Sequence, residues 1–254
     1  ALLEQGIQGL QAYICENLGS PDERVTQGSL KEIAKESFSP LNVMILVRPS
    51  GLTELPSRTG RRLFGNSDEL FLQSRPKRGL LTPAEVRSLA LAELSLFSTS
   101  IVWDVGAGSG SLAVEAARLA PNGSVFAIEM DVDDHQLIEE NAKRFGVDNL
   151  RAILGQAPEA WSDLPDPDSI YVGGSGRSVT ALVEQAWERL KPGGRLVTSC
   201  NSIENLATVH ALLRSRSEDA GYWMVNIARG IEQMDRIRFE AINPNFLMAA
   251  TKAG

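Results

Sequence analysis

The sequence is poor in the residues that build metal and disulfide sites, since its 254 positions include two cysteines and two histidines. Cys15 and Cys200 lie far apart and show no Cys-x-x-Cys spacing, which speaks against a zinc or disulfide framework and fits two buried thiols in a reducing compartment. No run of about 18 or more apolar residues is present, and the N-terminus lacks the charged-then-apolar pattern of a secretory signal. The sequence therefore reads as cytoplasmic, with no membrane partner. Basic residues are in deficit, with 25 Lys plus Arg against 32 Asp plus Glu, a net charge of −7. Such a field repels a nucleic-acid backbone, and an anionic substrate would need a local basic cluster. An initiating methionine is missing as well: the chain starts at Ala1, as a piece of a longer protein would.

What is present is a globular composition, 43% hydrophobic and 22% charged, long enough for one full domain and a smaller piece. Residues 6–18 and 29–36 read as short helices and "NVMILV", 42–47, as a strand. Residues 48–64 carry Pro49, Pro56 and few apolar side chains, which predicts a linker. Beyond it the pattern becomes regular. Thr82, Pro83 and Glu85 form a helix-start signal, with Thr82 as N-cap, for a helix reaching about residue 94. Strands at "SIVWDV", "SVFAIEM", "NLRAILG", "SIYVGG" and "GGRLVTSC" then alternate with helices at 111–120, 133–145, 180–190 and 203–215. Strands alternating with helices of this length predict an α/β fold with a mostly parallel, Rossmann-like sheet. The last two strands, "YWMVNIA" and "FEAINPNFLMAA", have no helix between them and predict an antiparallel edge hairpin.

The stretch "VWDVGAGSGSLAVEAA" places three glycines within five positions at a strand-to-helix junction. Glycine admits a close backbone approach and a positive φ, and the N-terminus of the following helix offers free N–H groups. A dinucleotide fingerprint, G-x-G-x-x-G, fits poorly, because Ser111 stands where the third glycine belongs. Asp104, two residues before Gly106, would repel a pyrophosphate but attract an ammonium or sulfonium group. The pattern D-x-G-x-G-x-G therefore points to S-adenosylmethionine, with Asp104 toward the methionine end. Glu129, closing the next strand, is placed to accept from the ribose hydroxyls. After the third strand, "GQAPEAW" offers Gln156 as an acceptor for the adenine amino group and Ala157 as a backbone contact.

Taken together, "KRGLLTPAEVR", the glycine stretch, "NAKRFGVDNL", "GQAPEA", "YVGGSG", "LKPGGRLV" and "NIARG" followed by "INP" resemble the CbiT-type precorrin methyltransferases. The resemblance runs from about residue 68 to the C-terminus. It implies a class I methyltransferase fold, often tetrameric, that methylates carbon 15 of a precorrin and decarboxylates the acetate at carbon 12 in corrin-ring biosynthesis. It also implies cofactor contacts at Thr82, Gly106, Ala107, Gly108, Ser109, Gly110, Glu129 and Ala157. Gln156 departs from the family, which commonly has an acid there. Residues 1–47 are similar to the end of a CbiE-type tetrapyrrole methylase domain, which in CobL-type fused enzymes precedes a CbiT-like one. The carbon 5 reaction is not expected of this piece, whose upstream cofactor segments are missing.

Methyl transfer from a sulfonium needs positioning more than acid or base strength, so the scarcity of histidine and cysteine is no obstacle. His135 and His210 are expected on helix surfaces, and no catalytic residue or metal site is assigned. For the substrate carboxylates the candidates are Arg75, Lys77, Arg78, Arg177, Arg229 and Arg236, because guanidinium binds a carboxylate bidentately. Gly173, Gly174, Ser175 and Gly176 lie at the sheet edge that would admit a flat macrocycle, with Asn201 and Asn243 as polar contacts. Two alternatives remain at this level, an RNA or protein methyltransferase and a noncatalytic scaffold of the pathway. The acidic balance and "YVGGSG", in place of an N-P-P-[YF]-type motif, weigh against the first, and cofactor binding would exclude the second.

Overall fold

The computed structural model describes residues 10–47, 62–74, 81–173 and 179–254. The chain forms two compact units, Ala1–Leu55 and Pro56–Gly254. In the first, β1 (Gln11–Glu16) is the centre of a three-stranded antiparallel sheet of order β2-β1-β3, flanked by β2 (Arg24–Ser29) and β3 (Asn42–Val47). This corrects the helix expected over 6–18: of its described part, Gln11–Glu16 is a strand and the chain turns at Asn17. Pairing on both edges outweighs local propensity there, and Ala12 and Ile14 turn to one side to meet Leu30 and Ile33. Those two residues belong to α1 (Leu30–Ile33), opened by a capping box between Ser29 and Glu32.

The second unit is a seven-stranded sheet of order β6-β5-β4-β7-β8-β10-β9. Its parallel strands are β4 (Ile101–Val105), β5 (Ser124–Glu129), β6 (Leu150–Leu154), β7 (Ser169–Val172) and β8 (Arg195–Cys200). α2 (Ala84–Glu93) precedes β4, α3 (Ser111–Leu119), α4 (Val132–Phe145) and α5 (Val179–Arg189) connect the parallel strands, and α6 (Ile203–Arg216) follows β8. Two apolar clusters, one on each face, cover the sheet: Trp103, Ile128, Ile170 and Leu196 lie in one, and Val102, Ala127, Tyr171 and Val197 in the other. Burial on both faces explains why the central strands read as continuous apolar runs.

The edge hairpin is longer than expected. β9 (Gly221–Gln233) and β10 (Arg236–Thr251) pair antiparallel, and β10 joins β8 only through Phe246–Thr251. Because Phe246 sits opposite Cys200, the last residue of β8, the remainder of the hairpin runs past the carboxyl edge of the sheet as an arm. Its tip, Met234 and Asp235, has positive φ at both residues.

The start of α2 departs from expectation. Its N-cap is Pro83 rather than Thr82, and no side chain caps it. The expected linker also ends earlier than residue 64. The Arg62 carbonyl accepts from Asn66 and Arg118, and the Gly65 and Asn66 N–H groups donate to Glu115 in α3, so this stretch is part of the large unit. The remaining linker positions, 48–61, lie outside the described residues.

Candidate functional site

The glycine turn lies at the carboxyl end of β4, in the middle of the parallel strands. Gly106, Gly108 and Gly110 all have positive φ, at 73°, 54° and 76°, values that an ordinary side chain resists. A Cβ on Gly110 would come within 3.0 Å of the Ile138 side chain, so this glycine also lets α4 pack against the turn. The Gly106 and Ala107 N–H groups donate to the Ile128 carbonyl, and Gly108 N–H donates to Glu129 Oε2 at 2.8 Å. Glu129 Oε1 accepts from Met130 and Asp131 N–H. The turn and the strand-ending acid thus form one bonded unit.

Asp104 lies beneath the turn, 1% exposed, and its Oδ2 accepts from Ala113 N–H in α3 at 3.0 Å. Burial pushes its carboxyl up to about 7; the Ala113 N–H opposes the shift and the Glu129 charge adds to it. Ser109 Oγ is buried within the turn and has no hydrogen-bond partner among the described residues. Two exposed apolar side chains flank Glu129: Met130 follows it, and Leu154 stands opposite it on β6. Gln156 is exposed and Ala157 partly buried just beyond. An orphaned hydroxyl, an acid at a strand end and an apolar rim suit a nucleoside with a charged tail, the chemistry of S-adenosylmethionine.

Three side chains that the sequence reading did not single out hold this arrangement. Asn141 of α4, fully buried, donates to the Ser109 and Leu72 carbonyls and accepts from Leu72 N–H. Arg87 and Glu115 form an ion pair at 2.9 Å with both side chains 0% exposed. Arg87 also donates to the Thr82 and Asn66 carbonyls and pairs with Asp68. A charged residue on the apolar face of a predicted helix was the available signal: Arg87 sits beside Val86 and Ala90, and Glu115 among alanines.

The expected substrate contacts fall into three groups. Arg75, Lys77, Arg78, Gly174, Ser175 and Arg177 lie outside the described residues. Arg229, on the arm, is engaged by Glu85 at 2.6 Å and Asp68 at 2.8 Å, so its charge is already matched by two carboxylates, which raise its basicity further. Arg236 opens β10 at the arm's tip, ten residues and on the order of 30 Å along the strand from Phe246. Asn201 follows β8, and Asn243 lies in the irregularity between Ile242 and Asn245; both are exposed. His135 and His210 lie partly buried on α4 and α6, and Cys15 and Cys200 are buried and unpaired.

Comparison with known proteins agrees with this geometry. A family model for the precorrin methyltransferase domain matches residues 76–238. The chain is 35% identical over 188 residues to a probable cobalt-precorrin-6B C(15)-methyltransferase (decarboxylating) of Pyrobaculum calidifontis, covering 73% of this chain and 95% of that one. It is also 35% identical over 200 residues to a precorrin-6Y C(5,15)-methyltransferase (decarboxylating) of Sinorhizobium, covering 78% of this chain; the match spans 46% of that relative's length. A crystal structure of precorrin-6Y C5,15-methyltransferase from Geobacter metallireducens superposes with a TM-score of 0.70 at 32% identity, over 76% of this chain and all of that one. The strand order, with its antiparallel last pair, is that of class I methyltransferases. By its matched domain, its relatives and its sheet, the chain belongs to the precorrin methyltransferase family.

Proposed function

We propose that the large unit binds S-adenosylmethionine at the glycine turn and methylates a precorrin at carbon 15, with loss of the carbon 12 acetate carboxyl as carbon dioxide. The observation that carries the reading is the bonded unit of Gly108 and Glu129 above a buried Asp104, in a chain of this family. When bound, the cofactor supplies a methyl group on a sulfonium, already activated for displacement. The Glu129 carboxylate receives the ribose hydroxyls, and Met130 and Leu154 cover the adenine ring, with Gln156 and Ala157 at its edge. Asp104, ionised, provides the charge that meets the methionine ammonium, and Thr82 closes the other side. Transfer then depends on holding the acceptor carbon in line, which positioning supplies without a strong acid or base. Decarboxylation needs the reacting acetate away from cations, whereas the other carboxylates need them. Arg75, Lys77, Arg78 and Arg177 remain the candidates for those, with Gly174 and Ser175 beside them.

The arm supports a homo-oligomer, a tetramer in keeping with the family resemblance. Ile231, Met234, Ile237 and Phe239 are all exposed on it, more apolar surface than a solitary hairpin keeps in water. Residues 1–47 are read as the end of a tetrapyrrole methylase domain without a cofactor site of its own. A cytoplasmic location fits two unpaired thiols. Incubation with S-adenosylmethionine and metal-free or cobalt-loaded precorrin, followed by mass spectrometry, tests the reading. A product with one added methyl and one carbon dioxide fewer supports it, and no mass change overturns it.

A further inference from the structure

One face of α4 meets two segments that are far apart in sequence. Ile138, fully buried, packs on the glycine turn, where a Cβ on Gly110 would lie 3.0 Å from its side chain. Asn141, one turn on along the same face and also 0% exposed, donates to the Ser109 carbonyl at 2.9 Å. The same amide group donates to the Leu72 carbonyl at 3.0 Å, while its oxygen accepts from Leu72 N–H at 2.8 Å. Phe145, a turn further, stacks on Phe71 with ring centroids 4.6 Å apart. The face formed by Ile138, Asn141 and Phe145 thus braces residues 109–110 of the turn at one end and residues 71–72 at the other.

This bracing calls for asparagine in particular. Leu72 offers one donor and one acceptor, and a carboxamide meets both as a neighbouring strand would. The second amide hydrogen is then left for Ser109. A carboxylate has no hydrogen to give to either carbonyl, and an aliphatic side chain meets none of the three groups. Burying so polar a side chain is unfavourable by itself, and its bonds offset that only while both segments are in place. The Ser109 carbonyl belongs to the peptide that leads into Gly110. Pinning it fixes that peptide, and with it the positive φ of 76° at Gly110, the N-cap of α3. The Ser109 hydroxyl, buried in the same turn, has no partner among the described residues.

We infer that Asn141 is a positioning residue for the cofactor: by holding the Ser109 carbonyl it fixes the shape of the glycine turn, and by holding Leu72 it makes the order of that turn and of residues 71–72 depend on each other. The inference rests on the proposed cofactor site. It assigns Asn141 no contact with the cofactor or the reacting atoms; its effect passes through Ser109.

The test is S-adenosylmethionine binding to the full chain by calorimetry, with thermal unfolding measured alongside. Asn141→Asp keeps the shape and the acceptor for Leu72 N–H but gives up the amide hydrogens; the dissociation constant is expected to rise about tenfold, the loss of one well-placed hydrogen bond. Asn141→Leu, which bonds to none of the three groups, should raise it further. A merely structural role would lower the unfolding midpoint and leave the affinity of the folded variants unchanged. Hydrogen exchange on the unaltered chain keeps the inference testable if neither variant folds: S-adenosylmethionine should slow exchange at Leu72 N–H, whose acceptor is Asn141. Wild-type affinity in folded Asn141→Asp, or Leu72 exchange indifferent to bound cofactor, would overturn it. Failure of the functional reading shows separately, as an unaltered chain that binds no S-adenosylmethionine, and that result overturns both.

Discussion

Among the described residues each unit buries one glutamate, and the two are treated differently. Glu16 in the small sheet is 4% exposed, yet its partner Arg24 is 58% exposed and its other bond is to Ser39 N–H. Glu115 in the large unit faces a guanidinium as deeply buried as itself and accepts from Gly65 N–H, Asn66 N–H and the Asn66 amide. The difference follows from how each sheet is covered. Among the described residues a four-residue helix packs on the small sheet, and all six residues of β3 remain exposed. The large sheet has helices on both faces, so a charge between α2 and α3 has no water to turn to. A buried pair there demands a full set of partners, and the set it recruits reaches Thr82 at the candidate site.

Breaking the deeper pair has the largest expected effect. Glu115→Ala leaves Arg87 buried without its carboxylate and should cost about 3–5 kcal/mol. Urea unfolding followed by tryptophan fluorescence measures it, because all four tryptophans lie in the large unit. At the glycine turn, Glu129→Leu should weaken S-adenosylmethionine binding severely, since two ribose hydroxyls lose their acceptor at roughly 1–3 kcal/mol each, and Glu129→Gln only modestly. Gly108→Val, forced into a positive φ, should remove binding from a protein that still folds. Calorimetry on both variants checks these outcomes.

A pH dependence sharpens the comparison. Asp104 is held up at about 7 in the folded protein, against an ordinary carboxyl near 4, so it is protonated through much of that interval. The proton must leave for the charge to meet an ammonium, so cofactor affinity should rise from pH 6 to 7.5 and Asp104→Asn should flatten the rise. The folded state binds the extra proton, so this group's contribution to stability falls as pH rises from about 4 to 7. Glu16 has the opposite sign. The Ser39 N–H and then Arg24 hold its carboxyl below the usual carboxylate range, so its contribution is present above that range and fades as pH falls through the lowered value. The smallest effect is therefore expected from Glu16→Ala, which at pH 7 should leave the tryptophan unfolding transition and cofactor affinity unchanged. A chain beginning at Pro56 should likewise keep methylation with decarboxylation, and loss of that reaction in the folded shorter chain would assign chemistry to the small unit.

Local pattern alone determined the alternation of strands and helices, the glycine turn, the acid ending β5 and the edge hairpin. Each is written within some ten consecutive residues: apolar runs bounded by glycine, proline and asparagine, or glycines at alternate positions where φ must be positive. Tertiary structure decided what depends on neighbours distant in sequence. It made β1 a strand, because β2 and β3 pair along both of its edges. It moved the cap of α2 to Pro83, matched Arg229 with Glu85 and Asp68 across more than 140 residues, and buried Arg87 against Glu115. Charge pairing and burial are properties of a place in the fold, and a chain read in order shows which side chains can ionise but not which of them will meet.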